Sequence, residues 1–118
     1  MISVPRRWNT AGDFICFYFF ILIGFKKLYM FYNYVLQSEK NREIYVGRTT
    51  DLKRRFKEHN QGLTPSTKRY KPWKLIYYEA CLNEKDSIRR EGYMKTTQGR
   101  RLLNRRLKEY YYKDREII

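Results

Sequence analysis

The sequence predicts a small α/β domain of the α+β kind, a three-stranded and mostly antiparallel sheet flanked by helices in the order β-β-α-β-α-α. Three observations carry this. Two short aromatic and β-branched stretches, residues 31–36 and 44–47, bracket a polar turn at residues 37–42, which is the pattern of a hairpin. A cation-rich stretch with helical spacing follows at residues 52–60. A third apolar stretch, residues 73–81, is then followed by two more helical stretches. A chain of 118 residues has room for one compact domain.

Each element has a local reason. In the hairpin, Tyr34 and Tyr45 fall on neighbouring strands, and a side-chain period of two lets them share a face. Gly47 sits at the turn out of the second strand. Thr50 or Asp51 is a good cap for the helix that begins at Leu52, and Gly62 is its stop. Residues 61–72 read as a loop whose hydroxyls and cations, Lys68 and Arg69 among them, suit phosphate contacts or simply a solvated linker. Asn83 caps a helix over residues 84–96, and Gly99 separates it from a basic last helix over residues 100–112. The domain is expected over residues 30–113, with 114–118 as a C-terminal tail.

Residues 1–29 differ from the rest. Phe14 to Phe25 is a run of twelve residues without charge, flanked by Arg6, Arg7, Lys26 and Lys27. A spanning helix needs about 20 apolar residues, and no small-residue cleavage site follows the run. Three readings stand: a tail or upstream artefact with the true start at Met30, a membrane-associating tail, or a packed N-terminal helix. A membrane is a partner only if this segment belongs to the protein and inserts.

The formal charge is +14, from 26 Lys and Arg against 12 Asp and Glu. Residues 1–29 hold four of those cations and one of those anions, so the remainder keeps +11. Charge of that size on a short chain favours a polyanion over a small-molecule substrate. DNA is the first candidate, RNA stays open, and charge alone also fits an unrelated basic protein. Cys16 and Cys81 form no CxxC pair, so neither a zinc site nor a disulfide framework is expected and a reduced, cytoplasmic setting fits best. With one histidine, any metal must be held by carboxylate, water and substrate oxygens.

On the helix from Leu52, the spacing puts Leu52, Phe56 and His59 on one stripe, with Arg55 at its edge. Lys53, Arg54 and Lys57 spread over the outer surface. Glu91 follows Ile88 by three residues and so lies near the face expected to dock on the sheet, although it also fits an ordinary helical pair with Lys95. Tyr34 and Tyr45 alone fit sheet aromatics, since a phenol titrating near 10 is a poor base at neutral pH.

The joint pattern goes further. Tyr32-Asn33-Tyr34, then Tyr45-Val46-Gly47, a helix with Arg55 and His59, the strand Leu75-Ile76-Tyr77-Tyr78-Glu79-Ala80, and Glu91 within residues 89–101 follow one another in order. This resembles the GIY-YIG nuclease family, in particular its small single-domain bacterial members, and is similar to the N-terminal nuclease domain of the excision-repair incision subunit. The resemblance implies that Tyr34 and Tyr45 are the motif tyrosines, that Gly47 frees the backbone to turn, and that Arg48 takes a basic or polar position. It implies that Arg55 and His59 are the functional helix residues and that Glu91 is the acidic ligand of Mg²⁺ or Mn²⁺. The first motif departs from the family with Tyr32 and Asn33, and the second with Val46. Gly92 weakens the helix that aims Glu91 by up to about 1 kcal/mol.

The function implied is a metal-dependent endonuclease that hydrolyses DNA phosphodiester bonds, in repair or in processing of branched or damaged DNA. Such chemistry needs a base for water, cations for charge developing on phosphate, and support for the leaving oxygen. Glu91 would hold the metal, Arg55 the phosphate, and Tyr45 would take or relay the proton of water, with His59 and Tyr34 assisting. Gly47, Arg48, Lys68 and Arg69 are the expected substrate contacts. The alternative is a basic nucleic-acid-binding module on the same fold without catalysis. Oligomeric state is not legible.

Overall fold

The computed structural model describes residues 29–116. The apolar run expected to be a tail, and residues 117–118, lie outside those described. The elements are β1 (Phe31–Ser38), β2 (Ile44–Thr49), α1 (Leu52–Gln61), α2 (Pro65–Lys68), β3 (Trp73–Cys81), α3 (Glu84–Met94), α4 (Thr97–Arg106) and α5 (Lys108–Glu116). The strands form one sheet in the order β2-β1-β3, and both pairings are antiparallel.

Side-chain alternation along β1 explains how the layers assemble, because successive residues of a strand face opposite sides. Tyr34 and Leu36 point to one face and are buried with Trp73, and Tyr45, Leu52, Phe56, Tyr70 and Leu75 pack on them. Val35 points to the other face, buried with Val46, Met94 and Leu103. Helix α1 therefore covers the first face, and α3 with α4 covers the second. The expected stripe on α1 holds: Leu52 and Phe56 pack into the core and His59 is fully buried.

Capping residues set the ends of α1. The Asp51 carboxylate accepts from the Arg54 backbone N–H, and Gly62, at φ 75°, donates back to the last turn. The side chain of Asn60 clamps the start of β3, accepting from the Trp73 N–H at 2.6 Å and donating to the Trp73 carbonyl at 3.1 Å. The Asn83 side chain caps α3 by accepting from the Lys85 N–H.

Four expectations need correction. The stretch 61–72 is not wholly a loop, because Pro65 starts the short helix α2, where a missing N–H costs nothing. Gly99 is no separator: it lies inside α4, and Thr96 is the cap that starts that helix by accepting from the Gly99 N–H. Gly99 is needed for a close approach, since a Cβ there would strike the Tyr93 carbonyl and the backbone of Met94. The last helix is two helices, broken at Leu107 (φ −104°, ψ 24°), and the second continues through Glu116, where Arg42 reaches Asp114 at 2.7 Å. Finally, Ile88 does not dock on the sheet but is 51% exposed. Ser87 and Met94 are the buried residues of α3, and Glu91 lies between them on the same side.

Candidate active site

Tyr34 is 1% exposed and His59 is fully buried, and their contact closes the centre of the site: the Tyr34 hydroxyl lies 2.7 Å from His59 Nε2. On the far side of the ring, His59 Nδ1 lies 2.7 Å from Thr67 Oγ1, and the Thr67 hydroxyl donates to the Thr64 carbonyl at 3.3 Å. These bonds have a direction. A carbonyl only accepts, so with the Thr67 proton given to Thr64, Thr67 accepts from His59 Nδ1–H. His59 Nε2 is then bare and accepts the Tyr34 proton. Burial, reinforced by the Arg55 charge, pushes the His59 imidazole down to about 4, so it is neutral at physiological pH. Burial also pushes the Tyr34 phenol up to about 12, with Arg55 opposing and Tyr45 and Glu91 adding to the rise.

Gly47 and Tyr34 are register partners on β2 and β1. A Cβ on Gly47 would collide with the Tyr34 hydroxyl and ring and lie 3.0 Å from the Tyr45 ring. The glycine is thus required for close approach, and it leaves the Tyr34 hydroxyl directly under the strand. Tyr45 does share the Tyr34 face: its ring is 6.3 Å from Tyr34, 5.0 Å edge-on from His59 and 6.1 Å from Trp73. Arg55, half-buried on α1, is held at 3.0 Å by Glu58 and acts on Tyr34 electrostatically. Four of the predicted residues, Tyr34, Tyr45, Arg55 and His59, therefore come together.

The second group lies across β2. Arg48 is the register partner of Asn33, whose side chain accepts from the buried Ser87 hydroxyl at 3.0 Å and so pins α3 to the sheet. One turn along α3 from Ser87, the Glu91 carboxylate lies 3.5 Å from Arg48 Nε and 2.7 Å from Lys95 Nζ. Arg48 also reaches Glu84 at 3.1 Å. The expected Glu91–Lys95 helical pair exists, but Glu91 is also bonded to β2 beside Gly47, and its charge is felt at Tyr34. Gly92 has open space around its missing Cβ and does not interrupt α3.

Lys68 and Arg69 are exposed at the end of α2, beside Gly62 and over the Tyr70 ring respectively, and are not drawn into either group. Lys53, Arg54 and Lys57 are exposed as expected. Sequence reasoning missed Thr67, Ser87 and Asn33. A Ser or Thr three residues from its carbonyl partner was the available signal for Thr67, but its His59 contact depends on the chain reversal at Gly62.

The domain thus carries Tyr34, Tyr45, Arg55 and His59 on one side of the edge strand at Gly47 and the Arg48–Glu91 pair on the other. A family model described as GIY-YIG catalytic domain matches residues 30–108, and the chain belongs to the GIY-YIG nuclease family. A UPF0213 protein of Clostridium perfringens (strain 13 / Type A) is 37% identical over 67 residues, covering 56% of this chain and 71% of the relative. A UPF0213 protein of Streptococcus pyogenes serotype M5 (strain Manfredo) is 37% identical over 76 residues, covering 64% and 78%. Among the described residues, no helix is long and apolar enough to cross a membrane.

Proposed function

We propose that this chain is an endonuclease that hydrolyses DNA phosphodiester bonds with Mg²⁺ or Mn²⁺ as cofactor, in processing of branched or damaged DNA in the cytoplasm. The observation that carries the reading is the pair of groups that meet β2 at Gly47 and Arg48. The Tyr34 hydroxyl lies beneath Gly47, His59 and Arg55 are beside that hydroxyl, and Arg48, the next residue, holds Glu91. Membership of the nuclease family supports the same reaction class.

Among the described residues, no three His, Cys, Asp or Glu side chains gather into a metal cage. The donor chemistry fits a hydrated ion instead, because Mg²⁺ is commonly held by one or two carboxylates, water and substrate phosphate. Glu91 and Glu84 are the carboxylates on this side, joined through Arg48, and an ion held by Glu91 would take the place of the Arg48 or Lys95 contact. Bound by Glu91, the ion would supply positive charge to the scissile phosphate and acidity to water.

The residues of the chain divide the remaining work. Arg55 presents a planar fork of donors to the phosphate, and Arg48 adds a second guanidinium at the strand edge. Tyr45, braced against His59 and Trp73, takes or relays the proton of the attacking water. Tyr34 is held in its protonated form and shares that proton with His59, so it orients its neighbours rather than ionising. His59, neutral and braced by Thr67, accepts the Tyr34 hydrogen bond and so fixes the orientation of that phenol.

One observation favours a rival reading: Glu91 is saturated by Arg48 and Lys95, as it would be in a basic module that binds DNA or RNA without cutting. Incubating the protein with branched, nicked and linear DNA in Mg²⁺, in Mn²⁺ and in chelator separates the two. Cutting that appears with either metal and vanishes in chelator supports the enzyme. Salt-sensitive binding with no cutting in either metal supports the module.

A further inference from the structure

Helix α1 does not cover the whole of its sheet face. Among the described residues, an open groove of about 740 Å³ lies beyond Tyr34, towards the start of β1. It is lined by Tyr29, Tyr32 and Tyr78 on the sheet side and by Asp51, Lys53 and Arg54 at the start of α1, where Arg54 also reaches Asp51 and Glu58 at 3.8 and 3.9 Å. Tyr32 and Tyr78 have ring centroids 6.2 Å apart at 58° and form a tilted pair. Tyr78 of β3 is 55% exposed and Tyr29, just before β1, is 72% exposed, so both rings present a face to a ligand. Tyr78 is the register partner of Tyr34, so the groove lies on the sheet face that also carries Tyr34.

We propose that this groove is a binding site for unpaired nucleotides of the substrate, the bases stacking on Tyr78 and Tyr32 and the phosphates running along Lys53 and Arg54. Aromatic faces beside a row of cations fit single-stranded nucleic acid, because every base has a π-face and every linkage a negative charge. A duplex keeps its bases stacked on one another and has nothing to offer Tyr78. The groove therefore makes the protein prefer a substrate that carries an unpaired strand over a fully paired duplex. This rests on the nuclease reading for the cut, but binding is measured apart from it.

The test is fluorescence anisotropy of the full chain in chelator, with a blunt DNA hairpin and the same hairpin carrying a short unpaired overhang. Wild type binds the overhang hairpin more tightly. Tyr78→Ala loses about tenfold of that preference, and Tyr78→Phe keeps it, because stacking needs the ring and not the hydroxyl. The proposal is overturned if Tyr78→Ala keeps the preference, if it weakens both hairpins equally, or if its only effect is a lower melting temperature, which would make the groove a packing surface for the chain itself. A protein that shows the Tyr78-dependent preference yet never cuts in Mg²⁺ or Mn²⁺ refutes the nuclease reading and leaves the groove standing.

Discussion

His59 Nε2 and the Tyr34 hydroxyl lie 2.7 Å apart in a buried contact that joins the last turn of α1 to the central strand. The pair fixes where the Tyr34 proton resides, and it binds the helix that carries Arg55 to the strand beside Gly47.

Stability should depend on pH through this histidine. The folded-state value of His59, about 4, lies below the ordinary 6.5, so between those values the unfolded chain binds more protons and stability rises with pH. Stability is therefore full above about pH 6.5 and is lost as pH falls towards 4, by on the order of 3 kcal/mol. Urea denaturation from pH 4 to 7 should show this slope, and His59→Gln should flatten that part of it. At the alkaline end the raised Tyr34 value has the opposite sense: stability present below pH 10 is lost as pH rises towards 12.

Thr67 acts through His59 and is a positioning residue. Thr67→Val removes the acceptor for His59 Nδ1–H and leaves a buried donor unpaired, at a cost of about 1–3 kcal/mol. Cleavage should slow and its pH profile should shift, because the histidine is free to change tautomer. Thr67→Ser should restore both the stability and the profile. Loss of stability in Thr67→Val with an unchanged pH profile would reduce the residue to packing alone.

Two glycines should respond oppositely to alanine. At Gly47 the new methyl meets the Tyr34 hydroxyl and ring, so Gly47→Ala should destabilise by about 1–3 kcal/mol and suppress cutting. At Gly92 nothing lies within 4 Å of the added carbon, so Gly92→Ala should stabilise the α3 helix by about 0.5–1 kcal/mol. Thermal melts of the two variants beside wild type check both signs.

The parts of the site visible in sequence are those set by local periodicity and capping. Asp51 and Gly62 bound α1 by their own side chain or conformation, and helical spacing put Arg55 beside His59. Strand alternation put Tyr34 and Tyr45 on one face. Glu91 was placed on the right face for the wrong reason, since the polar Ser87 docks where Ile88 was expected and does so through Asn33, which is remote in sequence. Helix α2 was invisible because four residues carry no periodicity, and with it went Thr67. The break at Leu107 has no glycine or proline to mark it. Gly99 misled because a glycine that ends a helix and one that permits close contact look alike in a sequence.

Glu91 is the residue on which the proposed metal-dependent cutting depends, and the most direct measurement is cleavage of a branched DNA by Glu91→Ala beside wild type in Mg²⁺ and Mn²⁺, with DNA binding measured over a salt series. Wild type should cut, and Glu91→Ala should not, while its binding stays close to that of wild type and weakens steeply with salt. Equal cutting by both proteins would contradict the account and place the metal ligand elsewhere.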